Sequence, residues 1–584
     1  MSNIPKGLSF LFEKTDPQDI FTPEDFTDEH RLIFRTTASF VNDNILNRME
    51  ELESKQEGLN RELLEAAGEL GLNGTEIPEE YGGMEMDKIS TTIIAECMGW
   101  GGSFAMTHGG QTGIGSMPIV MFGTRKQKEK YLPGIAGGEK VGSYALTEPG
   151  AGTDAMAIKS RAVLSADGKY YILNGNKQFI TNAGFADVFI VYAKIDSEKF
   201  TAFIVDADSE GLSTGPEEHK MGIKGSSTRT LILEDVKVPV ENLLFQIGRG
   251  HVVAFNILNL GRYKLSANAL GSSKFALELA AAYANDRKQF GEPIANFGMI
   301  REKLSEMAIR IYIAESMIYR TGGLLENKLQ SLDISGEDGG QVVAKGIEEY
   351  ALECSMNKVF ATEAQDYIVD EGVQIHGGYG YSAEYAIERL YRDARIYRIF
   401  EGTNEINRTI VPITLLRRVD KGDLPLREAL KKLQEKLIDG MPVRTGGEDL
   451  VQAAKDIFLL TFGAGLQKYG KALLKQQEIL ARLANLAIQT FAMESGWLRA
   501  QRSLKNQGED RARLKLIMAG AYINSAIGEV KNIAEETLAV LAEGDELANL
   551  LKNLHNLSRY IPQNTVVLRR EIAAAVSEAG RYIV

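Results

Sequence analysis

The sequence predicts an α+β fold: an N-terminal helical domain, a central antiparallel β domain, a helical bundle domain and an additional C-terminal helical domain. Three observations carry this. Apolar residues recur at helical spacing in the first 132 residues, the pattern alternates from Val141 to about Val240, and helical spacing returns from Val252 onward.

In the first region, about Thr27 to Leu132, the residues Leu63, Leu64, Ala67, Leu70 and Leu72 share one helical face. Pro78 with Gly82-Gly83 interrupts the run before a second apolar face at Ile93 and Ile94. The stretches KYYIL, KQFIT, DVFIVYAKI and TAFIV read as strands, and Asp167-Gly168 and Asn174-Gly175 between them read as hairpin turns. Helical runs follow: LSANALGSSKFALELAAAYANDR, IREKLSEMAIRIYIAESMIYRTGGLL, and VAKGIEEYALECSMNKVFATEAQDYIVDEG as one continuous element. The linker-like DGMPVRTGGED, 439–449, then separates a short helix from long amphipathic segments beginning near Leu450. The expected boundaries are 1–138, 139–245, 246–417 and 418–584.

At 584 residues and 44% hydrophobic content, the chain is long enough for several cores. A formal net charge of −13 argues against a nucleic-acid binder. Cys97 and Cys354 are the only cysteines, too few for a disulfide framework, and no catalytic metal is expected. The start has no basic region followed by an apolar stretch, and no run reaches the ~18 apolar residues of a spanning helix. A cytoplasmic protein is expected, with peripheral membrane contact left open. Amphipathic helices usually pack against their own neighbours.

Three segments carry chemistry. RDARIYRIFEGTNEINR, from Arg392 to Arg408, sets Glu401 between Phe400 and Gly402 with Ile399 just before. An apolar wall there raises a carboxyl pKa into the range of a general base. In YALTEPGAGTDA, Gly150 and Gly152 let backbone approach a ligand, and successive N–H groups could receive a pyrophosphate. A Rossmann loop would open a helix after its glycines, whereas IKSRAVLSADGKYYIL continues as strand. A plain turn remains the alternative. In QIHGGYGYSAEYAIERLYRD, His376 has no second His at ligand spacing and reads as a structural, hydrogen-bonding residue. Arg287, in DRKQFGEP, is either a phosphate fork or a solvated helix-end residue.

Taken together, these residues resemble the acyl-CoA dehydrogenase family. Ala145, Leu146, Thr147, Glu148, Gly150, Gly152, Thr153 and Asp154 fit one of its patterns. Gln374, Gly377, Gly378, Gly380 and Tyr381, with Glu384, Arg389 and Asp393, fit another, and Phe400-Glu401-Gly402-Thr403 follows. The resemblance covers roughly the first two thirds of the chain, and the helices beyond Arg417 resemble the extension of the very-long-chain branch, whose members form homodimers.

The resemblance implies FAD as cofactor. Tyr144, Leu146, Thr147, Gly152 and Thr153 would line the flavin, with Phe179, Ile180 and Thr181 at its other edge. Arg287, Gln289, Phe290, Phe297, Gln374, Gly377 and Gly378 would serve the pyrophosphate and adenine, Arg287 reaching a neighbouring subunit's cofactor. Thr403, Asn404 and Glu405 would be further cofactor contacts. Gly298 stands where many relatives carry Gln, a departure shared with the very-long-chain type. Thr153, Asn259, Arg262 and Gly402 would contact a fatty acyl-CoA. Glu401 would remove the α-proton while the β-hydride passes to flavin N5, giving a trans-2-enoyl-CoA in β-oxidation, with electron-transferring flavoprotein as the acceptor. The thioester carbonyl would accept hydrogen bonds from the Glu401 N–H and a ribityl hydroxyl. Gly101, Gly102, Gly109, Gly110, Gly113 and Gly115 fall where relatives form the floor of the acyl pocket, which implies depth for a long chain. The alternatives are a fold-retaining assembly or scaffold protein and an acyl-CoA oxidase. The intact Glu401 favours catalysis.

Overall fold

The computed structural model describes residues 4–336, 338–439 and 442–584. Caps start the first helices. The Thr27 hydroxyl accepts from the His30 N–H at the head of the Asp28–Phe40 helix, and Thr124 does the same for Gln127 in Arg125–Gly137. Leu63, Leu64, Ala67 and Leu72 are buried, but Leu70 is 45% exposed. The Leu59–Glu69 helix has ended there, and Gly71, at φ +73, turns the chain away.

Eight strands follow: β1 (Gly142–Ala145), β2 (Arg161–Leu164), β3 (Tyr170–Thr181), β4 (Val188–Ile195), β5 (Lys199–Asp206), β6 (Leu212–Thr214), β7 (Thr228–Pro239) and β8 (Leu243–Leu244). They form one sheet in the order β6-β7-β3-β2-β4-β5-β8, with β1 also beside β4. The sheet is mixed rather than wholly antiparallel, because β4 runs parallel to both β1 and β2. The chain between β1 and β4 is long enough to cross over and return in the same direction.

Asp167-Gly168 closes the β2–β3 hairpin as expected, with Gly168 at φ +70. Asn174-Gly175 does not turn the chain. It lies inside β3 at a bulge against β7, so KYYIL and KQFIT are two halves of one 12-residue strand. Asn174 and Asp235 exchange hydrogen bonds of 2.9 and 3.0 Å across the bulge. Gly175, at φ +151, sits where a Cβ would lie 2.2 Å from Ser160 Oγ.

Beyond the sheet, Gly250–Asp286, Gly298–Gln330 and Ala351–His376 pack as long, mostly buried helices. The run expected to be a single third helix breaks into Gly339–Glu348 and Ala351–His376. At the break, buried Tyr350 donates its hydroxyl to Pro5 O at 2.7 Å. Between the first two long helices, β9 (Lys288–Gln289) and β10 (Glu292–Pro293) form a hairpin. Its two-residue tip, Phe290 and Gly291, takes the positive φ values (+55 and +89) that such a turn needs.

Further helices complete the chain: Leu426–Asp439, Gly447–Tyr469, Gln477–Gln507, Glu509–Leu541, Gly544–Leu557 and Thr565–Ala579. Residues 440 and 441 of the expected linker lie outside the described residues. Buried ion pairs join this extension to the bundle. Arg499, wholly buried, bonds Glu24 at 2.8 Å and Glu315 at 2.6 Å, and Tyr582 donates to the same Glu315 oxygen at 2.9 Å. Arg320 pairs with Glu494 at 2.8 Å, and Lys455 shares that carboxylate. Phe10 packs on Phe491 at 4.9 Å, so residues 8–26 run along the seam between bundle and extension, a placement the sequence pattern did not show. Among the described residues, no helix is long and apolar enough to cross a membrane.

Candidate active site

The Ala386–Tyr397 helix ends just before Glu401, and Asn404–Asp420 begins just after it, capped by Thr403 Oγ1, which accepts from the Ile406 N–H. The turn between is strained. Glu401 adopts φ +57, a left-handed conformation uncommon for a side-chain-bearing residue, and Gly402 follows at +82. The Glu401 N–H donates to no protein acceptor among the described residues. Its carboxylate is buried and Oε2 has no hydrogen-bond partner.

That carboxylate rests on Gly261 of the Gly250–Asp286 helix, where an added Cβ would lie 2.6 Å from Oε2. Burial raises the Glu401 pKa, with Arg262 and Lys358 pulling the other way. Arg262 Nε donates to Glu401 O at 3.1 Å while Nη1 donates to Asn259 Oδ1 at 3.0 Å. Lys358 Nζ donates to Gly402 O at 2.9 Å and to Asn404 Oδ1 at 2.7 Å. Asn407 Nδ2 bonds Gly402 O and Thr403 O at 2.9 and 3.0 Å.

The sheet supplies the facing wall. Tyr144 on β1 is buried with its hydroxyl unpartnered, and burial raises its pKa far up, with the Glu401 charge a smaller contribution of the same sign. Leu146 is buried, while Thr147 is half-buried and its carbonyl accepts from the Gln178 N–H at 2.9 Å. The TEPGAGTD loop is tied down by Glu148, whose carboxylate accepts from Lys159 N, Ser160 N and Lys177 Nζ at 2.6 to 3.0 Å. A Cβ on Gly150 or Gly152 would meet nothing within 4 Å, and Thr153 is exposed beside them. Phe179, on β3, is 63% exposed at φ +59. Holding an aromatic residue there costs on the order of 1–3 kcal/mol and aims its ring outward. Thr181 is half-buried, and the Ile180 side chain is core at 2% exposure.

The other expected cofactor residues gather elsewhere. A cavity of about 470 Å³ is lined by Arg287, Gln289, His376, Gly377, Gly378 and Tyr379 among others, and by none of Tyr144, Thr147, Phe179 or Glu401. The Arg287 guanidinium lies 5.7 Å from the Tyr379 ring. His376 Nδ1 donates to Gly372 O at 2.7 Å and its ring stacks on Tyr283 at 4.3 Å, the structural role its isolation suggested. Phe290 is 95% exposed at the hairpin tip, with Phe297 edge-on at 6.0 Å. Gln374 is exposed and does not line the cavity.

Two expected contacts change character. The Asn404 side chain is spent inside the protein on Lys358, Thr362 and Glu363, so it braces the loop instead of facing a cofactor, and Glu405 is exposed on the first turn of its helix. Gly261, Lys358 and Asn407 were not singled out from the sequence. A glycine amid a long helix, costing about 1 kcal/mol there, was the one available signal.

Four family models match the chain in order: the N-terminal domain of acyl-CoA dehydrogenase over residues 27–139, its middle domain over 143–236, and two C-terminal domain models over 248–416 and 453–556. The chain belongs to the acyl-CoA dehydrogenase family. A probable acyl-CoA dehydrogenase of Bacillus subtilis is 50% identical over 589 residues, covering 100% of this chain and 99% of that one. The mitochondrial very long-chain specific acyl-CoA dehydrogenase of Rattus norvegicus is 34% identical, over 87% of this chain and 79% of its own. A crystal structure of an acyl-CoA dehydrogenase complexed with FAD from Bacillus anthracis matches with a TM-score of 0.98 at 52% identity, covering 99% of this chain and 100% of that one. The family is FAD-dependent, and the residues of this acyl-CoA dehydrogenase fit the cofactor: an outward aromatic, glycines with open space beside them, and an Arg-bearing cavity.

Proposed function

We propose that this dehydrogenase removes hydrogen across the α,β bond of long-chain fatty acyl-CoA, with Glu401 as the base. The observation that carries this is the Glu401 carboxylate: buried, without a partner for Oε2, and backed onto Gly261 in a strained turn. A free carboxylate oxygen with a raised pKa is suited to take an α-proton and hold it. FAD, when bound, supplies the acceptor for the β-hydride. The unpaired Glu401 N–H is left free to bond the thioester oxygen, a device worth about 3 to 4 kcal/mol per donor that acidifies the α-carbon. Arg262 and Asn259 fix the main chain that presents it.

The two separate groups of cofactor residues support a shared site, with Arg287 of one subunit completing the cofactor site of its neighbour in a homodimer. Of the six glycines, Gly109 and Gly113 support depth, since a Cβ on Gly109 would meet nothing within 4 Å and one on Gly113 only the Lys264 stem at 4.0 Å, whereas Gly101, Gly102, Gly110 and Gly115 pack against Ile45, Asp393, Asn182 and Gly142 and add no open space. Division near residues 138, 245 and 417, a place in β-oxidation and an electron-transferring flavoprotein as acceptor complete the reading.

The test is an anaerobic titration of the holoenzyme. Palmitoyl-CoA is expected to bleach the flavin and butyryl-CoA to do so poorly, each buried methylene adding about 0.8 kcal/mol of affinity. Glu401→Gln is expected to keep FAD and bind acyl-CoA without bleaching. Normal reduction by that variant would remove Glu401 from the role of base.

A further inference from the structure

We propose that Lys358 is a positioning residue for the base: with Arg262, its ammonium clamps the successive carbonyls of the left-handed turn at Glu401 and keeps the carboxylate charged against its apolar wall. This rests on reading Glu401 as the base. Lys358 lies in the Ala351–His376 helix, is buried, and belongs to none of the sequence patterns that marked the site.

The geometry distinguishes charge from simple bracing. Gly402 O already has a neutral donor in Asn407 Nδ2 at 2.9 Å, yet Lys358 Nζ meets the same oxygen at 2.9 Å. Burying an ammonium is costly unless its charge is used. Its neighbours show where that charge goes. The charges of Glu401, Glu363 and Glu405 favour the Lys358 ammonium and that of Arg262 opposes it. Glu363 is already taken by Arg408, at 2.7 and 2.8 Å, and Glu405 is exposed. Glu401 is the buried carboxylate left with a free oxygen, and among the described residues the charged groups that act on it are Arg262 and Lys358, with the Tyr144 hydroxyl nearby. Burial brings Lys358 down to about 7, with the Glu401 charge opposing that fall, while burial raises Glu401 and the Lys358 charge opposes that rise.

The sign follows. Removing a positive neighbour raises the carboxyl pKa further, so the base is protonated over more of the pH range and the rate loss is largest at low pH. The experiment compares Lys358→Met, Lys358→Gln, Lys358→Arg and Asn407→Ala holoenzymes. FAD content and acyl-CoA binding are measured first, then the rate of anaerobic flavin reduction by saturating palmitoyl-CoA from about pH 5.5 to about 9. Lys358→Met and Lys358→Gln are expected to lose about tenfold below neutrality, less as pH rises, with the midpoint of the profile moved up by about one unit. Lys358→Arg is expected to restore the midpoint, and Asn407→Ala to slow reduction without moving it. A loss independent of pH and parallel to that of Asn407→Ala, or no loss, overturns the proposal. If Lys358→Met fails to retain FAD, Lys358→Gln decides: an unmoved midpoint overturns it equally. Wild-type holoenzyme that no acyl-CoA bleaches would instead overturn the reading of the reaction, which keeps the two failures distinct.

Discussion

Gly261→Ala sets stability and activity against each other. The substitution adds one methyl group in the middle of a long helix, where alanine is favoured over glycine by about 1 kcal/mol, so the folded protein should gain stability. That methyl carbon would sit 2.6 Å from Glu401 Oε2, about 0.8 Å inside the ordinary 3.4 Å contact limit. The carboxylate is the soft end of its side chain, and it will move before the helix does. Displacing a reacting group by about 1 Å costs on the order of 100-fold in rate. Thermal unfolding of the holoenzyme should therefore shift upward or stay level, flavin content should be unchanged, and anaerobic reduction by palmitoyl-CoA should fall about 100-fold. A variant that reduces its flavin within about threefold of wild type would show that the seat of Glu401 on Gly261 does not matter to the chemistry.

Two further outcomes concern stability. Burial raises Glu353 to about 7, so the folded state holds its proton longer than the unfolded chain does. Its contribution is full below the ordinary carboxyl range and is lost as pH rises through about 7. Glu353→Gln should match wild type at low pH and be more stable at high pH by up to about 3 kcal/mol in denaturant titrations; identical pH dependence would refute this. Burial is the largest influence and would raise Glu24, but Arg499, together with Lys515 and the Thr22 hydroxyl, outweighs it and holds the carboxyl at about 2, so the Arg499 pair stabilises above the ordinary range and weakens as pH falls towards 2. Arg499→Met should cost about 3–5 kcal/mol near neutral pH, measured by chemical unfolding, and flatten that acid dependence; a cost under about 1 kcal/mol would sink the argument.

Local pattern made much of the fold legible. Helical spacing found the buried faces at Leu63, Leu64 and Ala67, and Asp167-Gly168 marked a true turn. Asn174-Gly175 misled because a hairpin tip and a bulge ask the same backbone freedom of glycine, and the residue that distinguishes them, Asp235, lies 61 positions away. Glu401 was visible through its own apolar neighbours. Of its supports, Arg262 was singled out only through the family pattern, since it reaches Glu401 across 139 positions, and Lys358, which reaches the next carbonyl across 44, was not singled out at all. The positive φ at Phe179 had no local signal either, since an aromatic there reads as an ordinary strand residue. The buried ion pairs were least accessible, Glu24 and Arg499 being 475 residues apart.

That separation bears on synthesis. Glu315 is translated long before Arg499, and its bond to Tyr582 waits for a residue 267 positions downstream. Until those late helices emerge, a carboxylate destined for a dry interior has only Lys274 to answer it, and the surface around it must stay wet. The interior of the bundle thus has its full set of ion-pair partners only when residues near both ends of the numbering are in place together, and a chain lacking those late helices leaves buried charge half answered.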